Sequence, residues 1–203
     1  MKEMTYICQF IDLVQQEIPW HQIQEVTLRD VSTGSIPRLS TKAKVCWTSE
    51  DLYVRFECED DHVVATMDHH DDPIYLEDVV EIFVDVVGTG REYYEFQLSP
   101  RNVVFDAYIH NNLDGFKTVD TSWHAEDMQT SVTVDNDETL RIYEWRIPLH
   151  NFKQTPEDGT AWRCNLYRID DDKEGIRHYS AWSPTGKVDY HIPQRFGTFL
   201  FRK

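Results

Sequence analysis

The sequence predicts an all-β protein, an antiparallel β-sandwich of jelly-roll or immunoglobulin-like type in a single domain. Short runs with strand-type alternation recur along most of the chain, and turn-forming clusters separate them at roughly 8–12-residue spacing. No stretch carries helical periodicity over a useful length. At 203 residues, one large β domain can bury a sizeable core without disulfides. The expected boundaries are an N-terminal arm over 1–18 and the sandwich over 19–203.

In chain order, residues 11–16 read as a short helical turn or part of the arm, and Pro19-Trp20 introduces a weak strand over Ile23–Leu28. Val31–Leu39, with Gly34 and Pro37, is a loop. Lys42–Trp47 and Asp51–Cys58 form a hairpin around Ser49-Glu50, with Leu52, Val54, Phe56 and Cys58 on one face and Tyr53, Arg55 and Glu57 on the other. A long acidic excursion through His69, His70, Asp71 and Asp72 follows, and excursions of this length inside a compact domain are often functional.

The central hairpin joins Val79–Val87 to Arg91–Leu98 through Gly88-Thr89-Gly90. If Val87 faces Arg91, Glu81 lies opposite Gln97 and Phe83 opposite Glu95. Val80, Ile82, Val84, Val86, Tyr94, Phe96 and Leu98 then share a core face, and Glu81, Phe83, Asp85, Tyr93, Glu95 and Gln97 share a polar face interrupted by aromatics. Fixed carboxylates and amides beside aromatic rings suit a sugar, which offers hydroxyls and C–H surfaces.

Val103–Ile109 continues the meander, Asn111–Val119 is a loop, and Trp123 opens a further strand. Met128–Val134 and Leu140–Ile147 pair around Asp135–Glu138, whose residues favour turns. Ala161–Ile169 and Ile176–Ser183 make the last hairpin, and Phe199–Phe201 closes a sheet.

Asp and Glu number 36 against 20 Lys and Arg, a net charge of −16. Such a field disfavours nucleic acid and anionic membranes, tolerates neutral ligands and attracts divalent cations. Cys8, Cys46, Cys58 and Cys164 lack metal spacing and read as free core thiols. No apolar run of signal-peptide length opens the chain. Read literally this is a cytoplasmic protein, or an extracellular or periplasmic one if a leader has been removed.

With the strands placed, LYVRFECED (Leu52–Asp60), EDVVEIFVD (Glu77–Asp85), EWRIPL (Glu144–Leu149), NLYRID (Asn165–Asp170), SAWSPT (Ser180–Thr185) and HIPQRFG (His191–Gly197) together resemble the family 9 carbohydrate-binding modules. The resemblance covers nearly everything from Trp20 onward. It implies a non-catalytic β-sandwich that binds the terminal sugar of a plant-type glycan or oligosaccharide between two aromatic rings. It also implies structural calcium and association with glycoside hydrolases.

Carried over residue by residue, the aromatic pair falls on Trp182 and on Tyr75, where the family pattern has Trp. The ligand-binding Glu falls on Glu81. The family's basic residue is replaced by Gln97 and its amide by Tyr167, and these departures bear on reducing-end preference. Asp60 and Asp78 match acidic positions and are the expected calcium ligands.

Taken alone, Trp182 fits a core as well as a platform, Tyr75 could cover a core edge, and Glu81 could be a solvated sheet carboxylate. Two rivals stand beside sugar binding. One is a glycoside hydrolase or lyase using Glu81 and Glu95 as acid and base, and the other is a structural or assembly module with a vestigial sugar site. His69-His70 raises a haem or transition-metal site, against which adjacent side chains of an extended segment point apart.

Overall fold

The computed structural model describes residues 4–12 and 17–203. The described strands are β1 (Thr5–Phe10), β2 (Glu25–Thr27), β3 (Arg29–Asp30), β4 (Thr41–Trp47), β5 (Asp51–Glu59), β6 (Val79–Asp85) and β7 (Glu92–Leu98), followed by β8 (Val104–Asn111), β9 (Lys117–Asp120), β10 (Gln129–Val134), β11 (Leu140–Pro148), β12 (Ala161–Asp171), β13 (Arg177–Ala181) and β14 (Gly197–Arg202). Helical structure among the described residues is confined to 3-10 turns at Ile74–Leu76, Leu149–Asn151 and Pro193–Arg195. No described helix is long and apolar enough to cross a membrane.

The strands form one continuous mixed sheet in the order β10-β11-β5-β4-β1-β14-β12-β6-β7-β8-β9, curled into a half-barrel. This corrects the expectation of a purely antiparallel sandwich. The cause is β1, which runs parallel to both β4 and β14. It stitches the β4-β5-β11 side to the β12-β6-β7 side, so the two walls of the core remain hydrogen-bonded through one sheet.

The expected arm over 1–18 is corrected in the same way, because Thr5–Phe10 lies mid-sheet. Tyr6 and Cys8 are fully buried, and the Tyr6 hydroxyl donates to the Gln24 carbonyl at 2.7 Å and accepts the Val45 N–H at 2.8 Å. Of the helical turn expected over residues 11–16, residues 13–16 lie outside the described residues.

Within the curl, one apolar cluster joins Leu52, Val54, Phe56 and Cys58 of β5 to Val80, Ile82 and Val84 of β6 and Tyr94, Phe96 and Leu98 of β7. These are the faces that alternation assigns to the core. All four cysteines are buried and unpaired.

The central hairpin has the expected register, Glu81 with Gln97 and Phe83 with Glu95. Its second face is also covered, because Val31, Ile74, Tyr190 and Phe196 pack with Phe83, Tyr93 and Tyr167 in a second apolar cluster. Two details after β8 differ from expectation: Lys117–Asp120 is a short strand rather than loop, and Trp123 opens no strand but packs on Tyr94 and Phe96.

Candidate functional site

A cavity of about 540 Å³ opens on the second face of the β6-β7 hairpin. The sheet registers build its floor. Tyr167 pairs with Glu81, Glu81 with Gln97, and Gln97 with Phe105, giving one cross-strand row over β12, β6, β7 and β8. Alternation points this row away from the main core, so each member faces the cavity or the layer directly beneath it. Glu95 is two residues from Gln97 on the same strand and face. The 3-10 turn Ile74–Leu76 brings in Tyr75, β13 brings Tyr179, the segment 188–191 supplies Asp189, Tyr190 and His191, and β9 brings Lys117 and Val119.

Aromatic rings form the walls. Tyr75 meets Phe105 edge-on with ring centroids 5.9 Å apart, and Tyr179 meets Tyr190 at 6.2 Å. The chain segment 188–191 is fixed from below. Tyr167 stacks on Tyr190 at 4.0 Å, its hydroxyl donates to the Tyr190 carbonyl, and the Tyr190 hydroxyl donates to the Arg168 carbonyl. His191 tilts over Phe83 at 5.0 Å, and its Nδ1 lies 2.9 Å from the Tyr93 hydroxyl.

Three polar side chains at the floor are almost out of solvent: Glu81, Glu95 and Gln97 are 2%, 4% and 1% exposed. Gln97 Nε2 donates to Glu95 Oε1 at 2.5 Å, whereas Gln97 Oε1 and Glu95 Oε2 are buried without a hydrogen-bond partner in the protein. His191 Nε2 stands 3.9 Å from Glu95 Oε2, beyond hydrogen-bond range.

Burial pushes both carboxyl groups up from the ordinary glutamic range, and the neighbouring Glu95 charge adds to the shift at Glu81. Burial, aided by the Lys117 charge, lowers His191 to about 3 and keeps its ring neutral. The floor therefore combines a Glu81 carboxyl that retains its proton with a Gln97 amide oxygen and a Glu95 carboxyl oxygen lacking donors, a surface able to give and accept hydrogen bonds.

Of the site residues read from sequence, Tyr75, Glu81 and Gln97 line this cavity. Tyr167 lies in the same row but is fully buried beneath Tyr190. Trp182 is elsewhere, which corrects its assignment as a stacking platform. It is 2% exposed in the main core, its N–H donates to the Leu166 carbonyl at 2.8 Å, and its ring packs on Tyr6 and Phe199.

The cavity-facing aromatic of the same segment is Tyr179, three residues earlier. Tyr179 pairs with Ile169 and Ala181 with Tyr167, so odd-numbered β13 residues face the cavity. Phe105, Tyr190, Lys117 and His191 also line the cavity without a local pattern that marks them, although His191 opens HIPQRFG. Alternation along β13 marks Tyr179, since Tyr179 and Ala181 share a face.

Asp60 and Asp78 are both buried but lie in a different environment. Asp78 accepts the backbone N–H groups of Val64 and Asp171 at 2.7 and 2.8 Å, and burial raises its pKa to about 6. Asp60 accepts the His62 N–H and pairs with Arg141 at 3.3 Å. Nearby, Asp170 is held between Arg168 at 2.6 Å and Arg38 at 2.9 Å. Guanidinium groups neutralise Asp60 and Asp170, and all four carboxylate oxygens of Asp60 and Asp78 are already engaged by N–H groups or Arg141, which leaves little for an ion that takes six to eight oxygens. The pair therefore does not fit a calcium site.

The chain matches the family model described as carbohydrate family 9 binding domain-like over residues 11–203. A relative from Arthroderma benhamiae, named Extracellular protein, is 24% identical over 198 residues, covering 90% of this chain and 87% of the relative. A solved structure from Bacteroides uniformis superposes with a TM-score of 0.77 at 15% identity, covering 99% of this chain and all of that one (100%).

A family 9 carbohydrate-binding module from Caldicellulosiruptor kristjanssonii in complex with cellotriose gives 0.67 at 18% identity, covering 98% of this chain and 94% of that one. The module from the same organism in complex with glucose gives 0.64 at 18%, covering 98% and 96%. At these identities the solved structures establish a shared fold, and the match of the family model over nearly the whole chain establishes the relationship. The chain belongs to the carbohydrate family 9 binding domain-like family.

Proposed function

We propose that this chain is a non-catalytic carbohydrate-binding domain that holds the terminal sugar of a plant-type glycan or oligosaccharide in the cavity over the β6-β7 hairpin, in support of breakdown by a separate glycoside hydrolase. The observation that carries the reading is the pair of buried acceptors without donors, Glu95 Oε2 and Gln97 Oε1, in an aromatic-walled cavity. A buried polar atom left unpaired costs roughly 1–3 kcal/mol, and sugar hydroxyls would supply both missing donors. Protonated Glu81 would donate in return. Tyr75 and Tyr179 supply ring surface for the C–H faces of the sugar, as family membership and the sugar-bound relatives support.

Stacking contributes roughly 0.5–1.5 kcal/mol beyond burial. With a few hydrogen bonds this gives dissociation constants in the micromolar to millimolar range. Calorimetric titration with glucose, xylose, cellobiose, xylobiose and cellotriose, each repeated with its reduced alditol, tests the reading. Saturable binding that Gln97→Leu weakens at least about tenfold is expected. Absence of heat with every sugar would remove the binding assignment.

Burial of Glu81 beside Glu95 favours one rival, acid–base glycoside hydrolysis, because raised carboxyl pKa values are what a general acid needs. Release of nitrophenol from aryl glycosides, lost in Glu81→Gln, would establish that rival.

A further inference from the structure

Outside the cavity, four side chains converge from three separate segments: His70 and Asp71 from the excursion before β6, Asp106 from β8, and His124 from the loop after β9. One potential ligand atom from each lies within 4.8 Å of all the others. Asp106 is the centre of the group and is 1% exposed at its side chain. Its Oδ1 lies 3.3 Å from His70 Nε2 and 3.3 Å from His124 Nδ1, and its Oδ2 is fixed by the Ala125 N–H at 2.6 Å.

Asp71 Oδ2 is 3.7 Å from the same His124 nitrogen. Asp71 is oriented by its own N–H, which donates to the Val104 carbonyl at 3.0 Å, and by a left-handed backbone with φ of 65°. Aspartate tolerates that conformation better than most residues.

We propose that His70, Asp71, Asp106 and His124 form a binding site for a divalent transition-metal ion, with Zn²⁺ the best-matched species. Ligands about 2.0–2.1 Å from a tetrahedral ion stand about 3.3 Å from one another, and both His–Asp106 separations already have that value. Two imidazoles and two carboxylates match zinc and its neighbours rather than the all-oxygen shell of calcium. The fixed Asp106 Oδ2 contact orients that carboxylate from behind, as the outer hydrogen bonds of metal ligands do. The site is separate from Asp60 and Asp78. A bound ion would clip the 60–78 excursion and the loop after β9 onto β8.

The test uses the full chain stripped with chelator, then equilibrated with Zn²⁺ or Co²⁺ and assayed by elemental analysis, visible absorption and thermal melting. One equivalent of Zn²⁺, tetrahedral d–d absorption of Co²⁺ and a raised melting temperature are expected. Ca²⁺ in excess should not displace the ion.

His70→Ala and His124→Ala carry the test because both side chains are half-exposed and their removal spares the core. Each should lower affinity at least tenfold, by the loss of one of four ligands. His69→Ala alters the exposed trio Asp68, His69 and Asp72 and should leave binding intact. Absence of a bound equivalent, unchanged affinity in both His70→Ala and His124→Ala, or loss of binding only in His69→Ala would overturn the proposal.

Discussion

Tyr179 and Trp182 are three residues apart, and the cavity reading assigns them opposite fates. In Tyr179→Ala the aromatic wall is lost from a half-buried position while β13 keeps its backbone pairing. The stacking contribution of roughly 0.5–1.5 kcal/mol together with lost apolar contact gives a total on the order of 1–3 kcal/mol. That is about a 5- to 150-fold weaker sugar affinity, with a small change in stability.

Trp182→Ala instead empties a core position packed on Tyr6, Phe199 and Gly197. Replacement of a buried aromatic by alanine costs about 3–5 kcal/mol, which for a chain of this size lowers Tm by roughly 6–20 °C. The sugar affinity of the folded fraction should stay within about twofold of wild type, less than the ~0.5 kcal/mol scatter of uncoupled sites. Calorimetric titration below the transition, paired with thermal melting, separates the two effects. A Trp182 variant that folds normally but loses binding, or a Tyr179 variant that binds as wild type does, would refute the assignment of cavity and core.

Three further outcomes are expected. Glu81 holds its proton to higher pH in the folded state than in the unfolded chain, so its contribution to stability is greatest below about pH 4 and falls as pH rises. Glu81→Gln should therefore gain on wild type between about pH 5 and 8 by on the order of 1–3 kcal/mol while binding sugar more weakly, and parallel stability-versus-pH curves would contradict this. Asp78 follows the same sign, because its pKa is raised to about 6. Denaturant titrations should show Asp78→Asn improving relative to wild type between about pH 4 and 6, by at most about 3 kcal/mol, and a pH-independent difference would count against a raised pKa.

At Gly197 an added Cβ would sit 2.4 Å from Trp182 Cζ3 and 3.0 Å from the Met4 carbonyl oxygen. Gly197→Ala should lower stability by about 1–3 kcal/mol through overpacking, visible as a fall in denaturant midpoint. A neutral substitution would mean that the Trp182 ring has room to move.

The sequence by itself determined the hairpin strands from Thr41 to Leu98, the register of the central hairpin and the division of its faces, because alternation and turn length are local properties. Glu81 opposite Gln97 follows from a short glycine-bearing loop and period-2 geometry alone. The motifs also sufficed to mark the family. Tertiary structure decided the rest, because it depends on which distant segment covers each face.

Thr5–Phe10 is a short alternating run whose place between β4 and β14 comes from pairing with strands more than thirty residues away in either case, and that insertion makes the sheet mixed. SAWSPT offers an exposed-looking strand end, yet Gly197 leaves a hollow that Trp182 fills, and Tyr179 is turned toward the cavity instead. His70 and His124 are 54 positions apart in the chain, and only the packing of two loops against β8 brings them to the same carboxylate.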